Sequence, residues 1–319
     1  MRCYTSTACH SQHYALEVID EISQLDAEQF DRIVKFWLER DRIPALAFCG
    51  DRFQMAGMGD RRPWESRFWT SMCYKIQLHE FYRCQDKAFN SILASIRTAQ
   101  PNRKILRMLR KKQAWRGSRP EVADIRKLFY QHPNTTVLTF TRSEASEINN
   151  LALQVKYPRR QPLAELRADL ESNPDNYHCG SLKDTRQLQP YWMRVYPGMS
   201  IFLTKNVRKD IDFVNGMLAT VETFDLGTSA LTLLTETGFR VLVTHWADPQ
   251  LGNLTYYPIS PGYASTVMKF QGAELDHVTL YLDCKGVPGG GYTAASRVRK
   301  GTQFAIGGPV TREHFQPAR

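Results

Sequence analysis

GYASTVMKFQGAELDHVTLYLD, residues 262–283, is the stretch around which the chain is organised. It opens on Gly262, Tyr263, Ala264, Ser265 and Thr266, a hydroxyl-rich segment suited to close backbone approach by a ligand. Lys269 and the Gln271-Gly272 pair add a cation and an amide beside a turn. Val278-Thr279-Leu280-Tyr281-Leu282 then runs apolar and β-prone, the pattern of a buried strand. A polar loop that feeds a buried strand is where α/β folds gather their ligand contacts, so the stretch predicts an α/β fold.

The same rhythm recurs upstream. Ala15 to Ile19 is a short apolar run that ends in Asp20-Glu21. Asp26 then caps a predicted helix with Gln29 three residues on, and Phe30, Ile33, Val34, Trp37 and Leu38 share one face of it. Ala45 to Cys49 is a second short strand, and it ends in Gly50-Asp51-Arg52-Phe53-Gln54. Phe89, Ile92, Leu93 and Ile96 form another helical stripe. Thr136 to Thr141 alternates as a strand and hands over to a helix capped by Thr141 and Glu144. Residues 157–190 are polar and weakly periodic, and we read them as an irregular connection. Between 198 and 257 short alternating runs are separated by Asn215-Gly216, Asp225–Gly227 and Thr237-Gly238, which predict hairpins and a small β-barrel.

Bulk composition narrows the class. The 319 residues suffice for two domains with cores, and 42% hydrophobic with 23% charged residues is ordinary for a globular chain. No apolar run approaches a membrane span, and no charged-then-apolar leader opens the chain. The net charge of +10 points to a polyanionic partner, most often nucleic acid. From Arg103 to Arg119 the run of Lys and Arg reads equally as a solvated helix face, a linker touching phosphates or an import-like patch. Seven scattered cysteines without a C-x-x-C pair argue for a reducing, intracellular compartment. Cys3, Cys9, His10 and His13 fit no usual zinc spacing.

Several positions carry candidate chemistry. Asp20-Glu21 at the end of an apolar run is the arrangement by which phosphoryl-transfer sites hold Mg²⁺ and polarise a water, although two acids after apolar residues also occur by chance. Gln54, at the end of the next strand, is placed to sense a terminal phosphate. Arg83 after Tyr82, and Arg297 in Tyr292-Thr293-Ala294-Ala295-Ser296-Arg297, are candidate phosphate clamps, and each read singly is a surface or ion-paired arginine.

In order, IDEISQLDAEQFD, FCGDRFQM, YRCQDKAFNSILASIR, VLTFTRSEASEINNLAL, FLTKN…FVNGMLATVE, GYASTVMKFQGAELDHVTLYLD and GYTAASRV resemble the later motifs of superfamily-one helicases. More narrowly, the series is similar to the petite-integration-frequency (PIF) family and its RecD-like relatives, from about Val18 to the end. The resemblance implies ATP-dependent unwinding of DNA in the 5′→3′ direction, with a role in genome maintenance in nucleus or mitochondrion. It implies tandem RecA-like domains with an SH3-like β-barrel in the second: residues 1–112, then 113–205 with 258–319, and the insertion at 206–257. Asp20 and Glu21 become the Mg²⁺ and water-activating pair, Gln54 the sensor of the ATP γ-phosphate, and Arg83 and Arg297 the arginines that reach it from two sides. Asn206, Asn215, Thr266, Lys269 and Gln271 become contacts to single-stranded or forked DNA, or couplers between DNA and cleft.

The sequence departs from the family pattern in three places. There is no G-x-x-x-x-G-K-[ST] phosphate loop, nor any Gly-Lys pair. The strand and helix that carry that loop are therefore expected upstream of Met1, in an N-terminally truncated form of the family. A non-catalytic single-strand-binding remnant is the alternative. Without that strand, residues 1–112 are expected to be the less stable part. Met268 and Phe270 stand where the family has His and Ser, and a thioether donates no hydrogen bond. Glu17 interrupts a strand that is otherwise apolar.

Overall fold

The computed structural model describes residues 15–57, 59–78, 82–168, 192–248 and 254–318. The positions of Cys3, Cys9, His10 and His13 lie outside them. The chain opens with β1 (Leu16–Ile19), α1 (Ala27–Leu38) and β2 (Ala45–Phe48), and β1 and β2 pair in parallel as a two-stranded sheet. The capping box at α1 forms as its sequence predicts: Gln29 N–H donates to Asp26 Oδ1 at 2.7 Å, and Asp26 N–H to Gln29 Oε1 at 3.1 Å. Its apolar face closes only in part. Phe30 and Val34 are buried with Ile22 and Leu25, whereas Leu38 is exposed. α2 (Arg67–Met72) packs Phe68 and Trp69 onto this small core.

α3 (Lys87–Thr98) starts at Asp86, whose carboxylate accepts from the N–H groups of Ala88 and Phe89. The predicted stripe Phe89, Ile92, Leu93 and Ile96 is buried throughout. The basic run is neither a linker nor a free face, because α4 (Arg103–Arg110) buries Ile105, Leu106 and Leu109. β3 (Gln113–Trp115) then joins a sheet. Both helices share their core with β-strands far downstream, such as Val278, Leu280 and Ile306. The packing therefore parts the chain nearer residue 80 than residue 112.

After α5 (Val122–Gln131) come β4 (Thr135–Thr139) and α6 (Arg142–Lys156), with Thr141 capping α6 through the Glu144 N–H. Here the chain leaves the main sheet. β5 (Ala164–Arg167) pairs antiparallel with β6 (Trp192–Val195), an ordered ladder inside the segment expected to be irregular. Leu166, Met193 and Val195 give it a buried face that a polar, proline-bearing sequence obscured.

β7 (Ser200–Leu203), β8 (Leu218–Asp225), β9 (Ala230–Thr235) and β10 (Arg240–Val243) match the alternating runs. β11 (Trp246–Asp248) and β12 (Leu254–Tyr256) make a separate two-stranded ladder, and β13 (Ile259–Pro261) returns to β7. The antiparallel sheet is ordered β10-β9-β8-β7-β13, so it runs from Ser200 to Pro261, wider than the 206–257 window. Its boundary strands were missed because they also feed the main core, through Ile201, Leu203 and Ile259.

β14 (Ala264–Thr266), β15 (His277–Tyr281), α7 (Gly290–Ala295) and β16 (Phe304–Gly307) complete the chain. The main sheet is all-parallel, ordered β14-β4-β15-β16-β3. β4, β15 and β16 are buried at every position, as expected of central parallel strands covered on both faces. The α/β class predicted from residues 262–283 thus holds, with the antiparallel sheet inserted between α6 and β14.

Candidate functional site

The small segment at the start of the 262–283 stretch does meet a close backbone approach, but from its own chain. A Cβ at Gly262 would lie 2.8 Å from Ile201 N, and Gly262 N–H donates to Ser200 O at 2.8 Å. Asn149 of α6 fixes the next residues: its Oδ1 accepts from Tyr263 N–H at 3.2 Å and Ala264 N–H at 2.9 Å, and its Nδ2 donates to Ala264 O at 3.0 Å. β14 is thereby clamped, and Thr266 emerges at its carboxyl end, followed by a 3₁₀ turn that carries Met268 and Lys269.

That end of the sheet opens on a cleft of about 2330 Å³. Asp20, Glu21, Asn206, Asn215, Thr266, Lys269 and Gln271 all line it. Asn206 and Asn215 sit together, Asn206 Oδ1 accepting from Asn215 N–H at 2.9 Å. Arg52, Arg62 and Arg142 add positive charge to the wall, and Trp64 and Phe140 add aromatic faces. Burial of its stem and the nearby Arg142 cation hold Lys269 below the ordinary lysine pKa. Met268 also lines the cleft, so the departure from the family's His falls on its surface.

Behind the cleft, the acid pair sits at the carboxyl end of β1. Glu21 has φ 54°, a left-handed conformation that a non-glycine residue holds only under constraint. Its N–H donates to Asp20 Oδ1 at 2.8 Å. Gly272, itself at φ +81°, lies against it, and a Cβ there would stand 3.1 Å from Glu21 Oε1. Loss of water raises the Glu21 pKa above the usual carboxylate range. Arg297 pulls it back down, and Asp20 pushes it up.

Gln54 follows β2 in a turn closed by its own N–H to Asp51 O at 3.0 Å. The Asp51 carboxylate accepts from Phe53 N–H, from Arg97 Nε at 3.2 Å and Nη2 at 2.9 Å, and from Tyr292 Oη at 2.8 Å. Met55 N–H donates to Thr293 Oγ1 at 2.6 Å. The Gln54 loop is therefore held against α7, the element that leads to Arg297. Sequence reasoning missed Asp51, Arg97, Tyr292 and Thr293 as parts of the site. The signal was present, since Asp51 stands in G-D-x-x-Q and Tyr292-Thr293 directly before Ala294-Ala295-Ser296-Arg297.

Arg297 is 1% exposed. Its Nε donates to Thr293 O at 2.9 Å, Nη1 to Ala273 O at 3.2 Å and Nη2 to Ser296 Oγ at 2.9 Å. Burial, and then the neighbouring Arg83, bring its pKa down to about 10, so it stays cationic near neutrality. Arg83 is exposed, with Nη1 3.1 Å from Ser296 O and Nε 3.6 Å from Glu274 Oε2. Gln271 is buried: its Nε2 donates to Ser23 Oγ at 2.9 Å and to Met55 O at 3.0 Å. It bridges the first unit to the second.

Three buried acceptors in this seam, Glu21 Oε2, Gln54 Oε1 and Gln271 Oε1, have no hydrogen-bond partner. Buried oxygens left unmatched are the exception and call for an explanation, which a bound water or ion supplies. The donor set fits the phosphate end of a Mg²⁺-nucleotide: carboxylates for the ion, a glutamine for water, two arginines for oxyanions. Among the described residues no group of three or more His, Cys, Asp or Glu is placed around one metal ion. An ion held at Asp20 and Glu21 would thus take its other ligands from water and phosphate.

No family model matches the chain. In sequence it is 24% identical over 301 residues to the human ATP-dependent DNA helicase PIF1, covering 88% of this chain and 44% of that protein. In structure it is similar to the Pif1 helicase of Candida albicans, with TM-score 0.73 and 20% identity over 96% of this chain and 74% of the other. A Pif1 helicase from Bacteroides in complex with ADP-AlF3 and ssDNA gives TM-score 0.69 at 17% identity, over 94% and 72%. These likenesses define the class: a parallel α/β fold of the kind solved for Pif1 helicases. More narrowly, this is a PIF1-like helicase chain, similar in sequence as well as in fold. It spans less than half the length of the curated relatives it matches. Among the described residues no helix is long and apolar enough to cross a membrane.

Proposed function

We propose that the chain supplies the hydrolytic flank and the DNA grip of an ATP-dependent helicase that moves 5′→3′ along single-stranded or forked DNA in genome maintenance. The reading takes residues before about 80 as an incomplete RecA-like unit and the β14-β4-β15-β16-β3 sheet as the second. The antiparallel sheet from Ser200 to Pro261 is then the SH3-like insertion. The observation that carries it is the convergence of Glu21, Gln54, Gln271, Arg83 and Arg297 on one seam, beside a cleft lined by cations and aromatic rings.

In this reading ATP supplies the phosphoryl group and Mg²⁺ neutralises charge on its phosphates. Asp20 holds the ion, through water. Glu21, with its proton affinity raised by burial, accepts a proton from the attacking water, which Gln54 orients. Arg297 and Arg83 offset oxyanion charge, and Arg297 must first leave the carbonyls that now occupy it. Thr266, Lys269, Asn206 and Asn215 face a sugar–phosphate strand, with Trp64 and Phe140 as stacking faces. Gln271 is a coupler rather than a DNA contact, because its amide is committed to Ser23 and Met55.

The missing Gly-Lys loop favours a second reading, a single-strand binder without ATP turnover. Both predict no appreciable ATPase for the chain alone and single-strand affinity that falls steeply with salt. DNA-stimulated hydrolysis by the chain alone, abolished by Arg297→Ala, would refute the missing-loop premise. Affinity unchanged between low and high salt refutes the DNA assignment. Adding a phosphate-loop segment separates the two: hydrolysis lost on Arg297→Ala supports the motor, and its absence supports the binder.

A further inference from the structure

The first unit carries an apolar segment that packs on nothing. Residues 72–78 read MCYKIQL, and Met72, Tyr74, Ile76 and Leu78 are 56%, 91%, 79% and 87% exposed. Apolar residues at every second position are the pattern of a strand with one buried face. Yet residues 73–78 have no regular structure and pair with no strand. Cys73, pointing the other way, packs on the small core of Ile22, Leu25, Phe30 and Val34, which Phe48 of β2 also contacts. The segment therefore starts beside β2.

β2 has an open edge there. Ala45 and Cys49 donate their N–H groups to Ala15 O and Ile19 O on the β1 side. In a parallel ladder successive residues alternate sides, so Leu46 and Phe48 direct theirs to the edge that pairs with no strand. A two-stranded parallel sheet is marginal, and parallel sheets are found with both faces and their neighbours in place. Leu16 and Val18 on β1 are likewise more than half exposed.

We propose that the open edge of β2 and residues 72–78 form one docking surface for a parallel β-strand, supplied by an α/β segment that bears a phosphate loop. The inference rests on the functional reading above. Orientation selects the occupant. A strand laid parallel on β2 ends at the same side as Asp20, Glu21 and Gln54, all at carboxyl ends of β1 and β2. A glycine-rich loop at that strand's end, opening a helix, would then face the unmatched acceptors of the seam. A second copy of this chain has no such loop to offer.

The test mixes the full chain with a labelled recombinant strand–G-x-x-x-x-G-K-[ST]–helix segment and reads binding by fluorescence anisotropy. We expect saturable binding that the double variant Tyr74→Lys/Ile76→Lys weakens about a hundredfold, since two large apolar side chains lose their cover. Leu226→Lys, at a residue equally exposed on the inserted sheet, leaves it unchanged. Both variants alter exposed residues, and equal thermal midpoints confirm that the fold is kept. No binding, or binding indifferent to the double variant, overturns the docking surface. Self-association of the chain that the double variant abolishes assigns the face to a second copy, and overturns it too. Replacing the segment's loop Lys by Ala should stop ATP hydrolysis without loosening the complex. Docking with no hydrolysis even by the intact loop leaves the surface standing and refutes only the motor.

Discussion

Acid should unfold this chain through His277 before its surface carboxylates titrate. His277 opens β15 and is buried, with Nδ1 2.8 Å from Thr135 Oγ1 and Nε2 without a partner. Its ring stacks on His132 at 3.9 Å between centroids. Burial first, then the His132 ring and the Lys112 ammonium, press its pKa from the ordinary 6.5 down to about 4. The sign follows from linkage. The unfolded chain takes up the proton near pH 6.5 and the folded chain does not, so stability is full above that pH and falls as pH drops towards 4. Each pH unit in that window costs about 1.4 kcal/mol, so the loss is about 2 kcal/mol at pH 5. Denaturant unfolding followed by circular dichroism at about pH 7 and about pH 5 reads it directly. His277→Gln removes the titrating group, and its stability should differ between the two conditions by about 2 kcal/mol less than the parent's. His132→Gln relieves part of the repulsion and should fall between them. Parallel pH dependences for the parent and His277→Gln would refute the reasoning.

Two further outcomes follow from packing. Gly307 of β16 sits under the Trp115 indole, where a Cβ would come within 1.9 Å of the ring. Gly307→Ala must displace a residue that is 3% exposed and stacked near Tyr281, so thermal unfolding should show a loss of roughly 2–3 kcal/mol; an unchanged midpoint would contradict that packing. The small core under residues 15–78 buries only Ile22, Leu25, Phe30 and Val34 as its central cluster. Limited trypsin digestion should therefore cut within 15–78 before 254–318, and mass spectra showing the reverse order would count against it.

The parallel sheet was legible because its strands are buried on both faces. Continuous apolar runs such as residues 278–282 need no partner to be recognised, and capping at Asp26 and Thr141 is local chemistry that survived folding unchanged. The β5–β6 ladder was not legible, since one strand of it alternates weakly over four residues and its partner lies 25 residues away. The basic run from Arg103 misled for a related reason. Charge dominated the pattern, while burial of Ile105, Leu106 and Leu109 depends on strands 170 residues downstream. The candidate site divided in the same way. Asp20, Glu21, Gln54 and Arg297 could be picked out by their place after strands, but the contacts that set their geometry run between distant segments, as Asp51 to Tyr292 and Gln271 to Ser23.

The 262–283 stretch shows how one segment serves two partners. Its first residues look built for a ligand, yet Gly262 is required by the β7 backbone, and Asn149 uses up the polar groups of Tyr263 and Ala264. Only from Thr266 onward does the stretch face the cleft, and there its two ends part. Lys269 is held among protein walls and beside another cation, a position whose field favours an incoming anion. Three residues further on, Gly272 presses on Glu21 and Gln271 holds Met55, so any displacement of Lys269 is transmitted within one turn to the acid pair and the Gln54 loop. Rigid attachment at β14 and β15, with a short 3₁₀ turn between cleft and seam, makes this the shortest covalent path from anion grip to acid pair. Met268 on that turn offers no hydrogen bond, so the coupling must run through the backbone and Gln271.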